Sequence, residues 1–261
     1  MTVNKVALIT GASSGVGLHL VQHLLTHHSE ISIIAVGRQM TQLENVANMN
    51  AGRVILVKTD ISTQSGRSLL LKEIQGIGKI DLVVHSAAIV TPLNLMTQIT
   101  YADWQRTQQT NLDAPLFLTL MLLEKFSQSR VMFITSDVDL RPVVGAASYC
   151  ISKMALHMAW ACLQAEIPAD KAVFGLVAPG NVDTPMQAQI RQADPKQLPI
   201  APVMKTLYDQ GKFLSPDYVA DFLGWLLLEV EPDQYANKIW NIYEEISSDH
   251  WPSGTANITN S

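Results

Sequence analysis

Residues 3–10 form a short apolar run rich in strand formers, and a glycine turn, Gly11-Ala12-Ser13-Ser14-Gly15-Val16-Gly17, follows at once. Val16, Leu20, Val21, Leu24 and Leu25 then recur with helical spacing. Strand, glycine turn and helix in direct succession leave few folds open. Glycines let a backbone approach a pyrophosphate, and phosphate charge is favoured at a helix N-terminus. The spacing G-x-x-x-G-x-G differs from the commoner G-x-G-x-x-G. A plain tight turn into a buried helix is the competing explanation.

The pattern repeats along the chain. Further strands are expected at 31–36, 53–58, 80–85, 130–135, 171–177 and 238–243. Helices are expected at 64–75, at 101–125 with a kink at Pro115, from about 149 to 166, and at 216–229 behind the cap Ser215. This alternation predicts an α/β fold, a single-domain, doubly wound (Rossmann) parallel sheet of about seven strands with helices on both faces. Right-handed crossovers then gather all strand C-termini, and the ligand crevice, on one edge. Residues 186–214 are polar, proline-dotted and weakly periodic, and are expected to cover that crevice as a lid. The domain is expected to span 1–246, with a mobile tail at 247–261 rich in Ser, Asn, Gly and Pro.

Composition excludes several roles. The chain has 261 residues, 48% hydrophobic and 16% charged, with a net charge of −5 and no basic run. A nucleic-acid groove needs clustered Lys and Arg, so none is expected. No apolar run approaches the ~18 residues that span a bilayer, and no secretory leader is visible. Cys150 and Cys162 are not a CxxC pair and suit reduced thiols. A cytoplasmic protein is expected, in which the sequon at Asn257 has no role.

The chemistry-bearing residues fall at the expected strand ends. Tyr149 and Lys153 lie four apart in a helical run, on one face and one turn apart. A free phenol titrates near pKa ~10, and a nearby cation favours the phenolate. Such a Tyr can exchange a proton with a carbonyl or alcohol. Alone, the pair is better explained by a half-buried Tyr and a solvated Lys on an amphipathic helix. Ser136 ends the fifth strand. The small residues Ser86, Ala87 and Ala88 end the fourth, and Asp60 and Ile61 follow the third. An NAD site places an acid about twenty residues beyond its glycines, whereas Gly37 stands there with Arg38 beside it. A guanidinium pairs well with a 2′-phosphate, which favours NADP over NAD. An ordinary surface Arg is the alternative.

Taken together, the set resembles the short-chain dehydrogenase/reductase family over residues 3–245. Thr10-Gly11 through Gly17 matches its cofactor motif, and Asp60 its adenine contact. Asn111, Ser136, Tyr149 and Lys153 fall in the order of its catalytic tetrad, and Pro179-Gly180, Val182 and Thr184 match its nicotinamide segment. The resemblance implies NADP(H) held by Gly11, Ser13, Ser14, Gly15, Val16, Gly17, Arg38, Asp60, Ile61, Ser86, Ala87, Ala88, Tyr149, Lys153, Pro179, Gly180, Val182 and Thr184. It implies no metal. Ser136 and Tyr149 would bind a substrate carbonyl, with Tyr149 the proton donor. Lys153 would tune the phenol and hold ribose, and Asn111 would hold a water that returns the proton. A homodimer or homotetramer through the Tyr149 helix is also implied, with Met154, Met158, Trp160 and Leu163 as core or subunit contact. One departure stands out: His85-Ser86-Ala87-Ala88 replaces the usual Asn-Asn-Ala-Gly.

A narrower resemblance, to the sepiapterin-reductase and benzil-reductase branch, lies in Asp183-Thr184-Pro185-Met186-Gln187 and Trp240-Asn241-Ile242-Tyr243-Glu244. It implies an NADPH-dependent reductase of ketones, diketones or pterin-like carbonyls, with Met186 and Glu244 near the substrate. The alternatives are a non-catalytic NADP-binding sensor and a reductase of sugars, steroids or acyl thioesters. His19, His23 and His27 are expected on a solvated helix face, and Cys150 in packing.

Overall fold

The computed structural model describes residues 5–39, 41–49, 52–136, 141–248 and 251. Seven parallel strands form one sheet in the order β3-β2-β1-β4-β5-β6-β7. These are β1 (Lys5–Thr10), β2 (Ile31–Gly37), β3 (Val54–Lys58), β4 (Leu82–His85), β5 (Ser129–Ile134), β6 (Ala172–Ala178) and β7 (Ile239–Asn241). The chain winds outward from β1 to β3, then returns to place β4 on the other side of β1. That reversal opens a crevice beyond the ends of β1 and β4.

Helices cover both faces. On one side α1 (Gly15–His27) and α9 (Pro216–Leu228) bury Leu20, Val21, Leu24, Phe222 and Leu226. On the other, α3 (Gln64–Glu73), α5 (Ala114–Leu122) and α6 (Ala147–Glu166) bury Leu70, Leu118, Leu156 and Trp160. Buried strands such as β2 read as near-continuous apolar runs because a parallel sheet is covered twice.

Several boundaries differ from expectation. A helix α2 (Thr41–Met49) follows β2. The 101–125 segment divides into α4 (Tyr101–Gln108), a widened π turn at Gln109–Asp113, and α5. There the Ala114 N–H bonds to the Gln109 carbonyl, directly ahead of Pro115, which has no N–H to give. The 186–214 segment is mainly helical: α7 (Pro185–Gln192) and α8 (Ala201–Asp209). After α9 come α10 (Pro232–Ala236), a β7 of only three residues, and α11 (Ile242–Ser248). Of the expected tail, residues 247–248 and 251 are described. Trp251 is 1% exposed and packs on Tyr218 and Phe222. Residues 1–4, 249–250 and 252–261, with Asn257, lie outside the described residues.

Candidate active site

The glycine turn is built by close approach. Gly11 has φ +67°, and a Cβ there would stand 2.7 Å from the Ala87 nitrogen, so the turn rests on the segment after β4. A Cβ on Gly17 would lie 2.5 Å from the Gly11 carbonyl oxygen, so α1 rests on the turn. Gly17 is therefore buried beneath the turn and, unlike Gly11 and Gly15, is not among the residues lining the groove. Gly15 (φ +52°) faces the Thr184 methyl, where an added Cβ would stand 3.3 Å away. The first and last motifs of the chain thus meet across the crevice. Ser14 precedes α1 without a side-chain cap, leaving the first-turn N–H groups available to an anion. These features fit a dinucleotide pyrophosphate.

A groove of about 1270 Å³ runs from this turn in both directions. Toward β2 and β3 it is lined by Gly37, Arg38, Gln39, Thr41, Thr59, Asp60 and Ile61. The loop carrying Asp60 is tightly held. Asp60 Oδ1 accepts from the Ser62 N–H (3.0 Å) and the Ser62 hydroxyl (2.7 Å). Arg67, on α3, donates from Nη1 to the Ile61 carbonyl (2.8 Å) and the Ser62 carbonyl (3.1 Å). Toward β5 and α6 the lining includes Ser86, Ala87, Ala88, Ser136, Tyr149, Lys153, Pro179, Gly180, Val182, Thr184 and Met186. The groove exceeds a usual small-ligand pocket of about 300–1,000 Å³, leaving room for a dinucleotide and a second molecule.

Helix α6 aims Tyr149 and Lys153 into the groove from adjacent turns. Lys153 is 3% exposed, its Nζ donates to the Ile134 carbonyl at 2.8 Å, and it lies 5.6 Å from the centre of the Tyr149 ring. The solvated Lys of the bland alternative is excluded by that burial. Position 180 is glycine because its φ is +74° and a Cβ would meet the Tyr243 ring at 2.8 Å. Tyr243 Oη in turn accepts the Asn181 N–H at 2.9 Å, bracing the loop from behind.

Two expected residues sit elsewhere. Asn111 is 1% exposed and does not line the groove. Its Oδ1 accepts from the Ile89 N–H (2.9 Å), and its Nδ2 donates to the Ile89 carbonyl (2.8 Å) and Ser152 Oγ (3.0 Å). Ser152 Oγ donates to the Tyr149 carbonyl at 2.7 Å. Asn111 is thus a brace between the segment after β4 and the Tyr149 turn, with both amide hydrogens spent. Glu244 is exposed on α11 and does not line the groove. Its neighbour Glu245 is the buried acid, paired with Lys238 at 2.5 Å. Neither acid lines the groove, because the chain enters α11 at Ile242 where a longer β7 was expected.

Sequence reasoning missed most of the apolar wall: Val90, Leu93, Val143, Ala146, Ile190, Leu198 and Ile200. Part of its signal was present in the apolar members of 186–214, which lie on α7, on α8 and in the turn between them. The histidine expectation also changes. His19 pairs with Asp217 at 2.6 Å, and the His23 ring presses on Gly224 of α9, so both face a neighbouring helix. Burial lowers the His23 pKa. Cys150 is buried against Leu198 and Ala201, as packing. His85 is fully buried, stacked on Phe133 at 5.0 Å and 2.9 Å from Thr119 Oγ1. Thr119 Oγ1 donates to the Pro115 carbonyl at 2.8 Å, so His85 Nε2 carries the proton toward it. Burial pushes the His85 pKa down to about 3. Here a neutral imidazole makes the contact between β4 and α5.

Comparison with known proteins agrees with this arrangement. The short chain dehydrogenase family model matches residues 5–195. A benzil reductase ((S)-benzoin forming) of Saccharomyces cerevisiae is 30% identical over 247 residues, covering 88% of this chain and 93% of the relative. The benzil reductase of Bacillus subtilis is 27% identical, covering 91% of this chain and 98% of the relative. The crystal structure of another S. cerevisiae short chain dehydrogenase/reductase superposes with a TM-score of 0.84 at 26% identity, over 91% of this chain and 95% of that one. Among the described residues no helix is long and apolar enough to cross a membrane. The chain belongs to the short chain dehydrogenase family of NAD(P)-linked oxidoreductases, and within it resembles the benzil reductases.

Proposed function

We propose that the protein is an NADPH-dependent carbonyl reductase that acts on an apolar, aromatic-sized ketone or 1,2-diketone. The observation that carries this reading is the Tyr149–Lys153 pair, 5.6 Å apart, in a groove lined by glycines at one end and by apolar side chains at the other. The bound dinucleotide would supply a hydride to the carbonyl carbon. Tyr149 gives its hydroxyl proton to the carbonyl oxygen, Ser136 hydrogen-bonds that oxygen, and the alcohol results. The Lys153 ammonium beside the phenol favours loss of that proton. Both hydrogens of the Asn111 carboxamide are held by protein, so a water on Asn111 that returns the proton would be held through one of its oxygens.

NADPH over NADH is supported by Arg38 at the groove end and by Gly37 where an acid would contact ribose. A diketone is supported by the apolar wall and by relatives named benzil reductases. A pterin loses its support with Glu244 outside the groove. Free cysteines support a reducing compartment. A second copy of the chain is the proposed partner. Phe117 and Leu120 on α5, with Ile151, Met154 and Met158 on α6, are exposed apolar residues at helical spacing. The reading is tested by following NADPH and NADH oxidation against benzil, other diketones, quinones and pterins. Benzil turnover with an NADPH preference supports it, and dinucleotide binding without turnover of any of these contradicts it.

A further inference from the structure

The lid that completes the apolar wall is docked through a side chain outside the groove. Gln197 occupies the tip between α7 and α8, and its Oε1 accepts the Leu95 backbone N–H at 3.2 Å. Its own carbonyl oxygen lies where it would stand 2.0 Å from a Cβ on Gly145, whose φ is +85°. Position 145 therefore admits the tip only as glycine. The next residue, Leu198, is 1% exposed and packs with Ala146, just before α6, and with Cys150, next to Tyr149 on α6.

The rest of the lid is held elsewhere. At its base the Leu214 N–H donates to the Asn181 carbonyl (2.8 Å), and the Asp183 N–H donates to the Leu214 carbonyl (3.0 Å). Along its shaft the Arg191 guanidinium lies 3.8 Å from the Tyr208 ring centre and 3.3 Å from Asp183 Oδ1, which ties α7 to α8 and to the base. The tip is where the lid meets the opposite wall. Leu198 and Ile200 line the groove from it and Met204 from α8, while Gln197 does not.

We propose that Gln197 is a positioning residue, and that the substrate chamber beside Tyr149 has its shape only while Gln197 is docked on Leu95 and Gly145. This rests on the carbonyl-reductase reading. A nearly isosteric Gln197→Met removes the acceptor, and Gln197→Glu keeps one. In the full chain, KM and kcat for benzil would be measured at saturating NADPH. NADPH affinity would be read by fluorescence, and lid motion by amide hydrogen exchange over 194–201.

For Gln197→Met, one lost hydrogen bond is expected to raise KM about fivefold to tenfold. The kcat and NADPH affinity should stay within about twofold, and exchange at the tip should quicken. Gln197→Glu should match the wild type. Unchanged tip exchange in Gln197→Met overturns the docking, and quicker exchange with unchanged KM overturns its role in the chamber. Loss of kcat and NADPH affinity together would mark a merely structural residue and also overturn it. A wild type without benzil turnover contradicts the reductase reading instead, and tip exchange still decides the docking.

Discussion

Lys153 and His85 illustrate opposite ways of burying a titratable group beside the same crevice. The ammonium is placed against the Ile134 carbonyl and the Tyr149 ring, where its charge can act. The imidazole is kept neutral by desolvation, stacked on Phe133 and donating to Thr119. Because the folded pKa, about 3, lies below the usual 6.5, the unfolded chain binds the extra proton first as pH falls. His85 therefore contributes its full stability above about pH 6.5 and loses it on the way to about pH 3. His85→Gln should remove this slope. The stability gap between wild type and variant is expected to shrink by about 1.4 kcal/mol per pH unit across that window. Urea unfolding at about pH 6.5, 5.5 and 4.5 checks it, and a constant gap contradicts a neutral buried imidazole.

Between elements, side chains do work that no periodicity reveals. Arg53, just before β3, donates to the Leu25 carbonyl at 2.9 Å and from Nε to the Ile31 carbonyl at 3.1 Å, closing the end of α1 against the sheet. Arg53→Met strands those acceptors and is expected to cost roughly 2–3 kcal/mol, with partial recovery in Arg53→Lys. Chemical denaturation measures both. The strands were legible because runs such as Ile31–Gly37 are apolar but for Ser32, and α1 because its leucines keep one face. Helix α2 was not read, since Leu43 is its single buried apolar residue among those described. Helices α7 and α8 were not legible as helices because they are only eight and nine residues long and Ala201 is the one fully buried residue between them. The last strand was overextended. Asn241 Oδ1 accepts the Tyr243 N–H at 3.0 Å, a side-chain cap that turns the chain into α11 and carries Glu244 away from the groove.

At the scale of the molecule, one parallel sheet with its order reversed beside β1 brings Gly11, Asp60, Ser86, Ser136 and Pro179 to a single edge. The topology was readable from alternation, so the residues at strand ends were located before their contacts were known. What alternation could not supply was side-chain commitment. Asn111 carries the expected residue type at the expected place, yet its amide is spent on Ile89 and Ser152. The exposed stripe of Ile151, Met154 and Met158 is more apolar than a lone chain needs. Met158→Lys is expected to lower the oligomeric state in light scattering, and an unchanged mass would remove α6 from the interface. The most direct test of the whole account is NADPH oxidation by Tyr149→Phe with benzil, beside its NADPH affinity. Turnover should fall by about 10²–10⁴-fold with affinity close to wild type. Retention of wild-type turnover would show that the Tyr149 hydroxyl is not the proton donor.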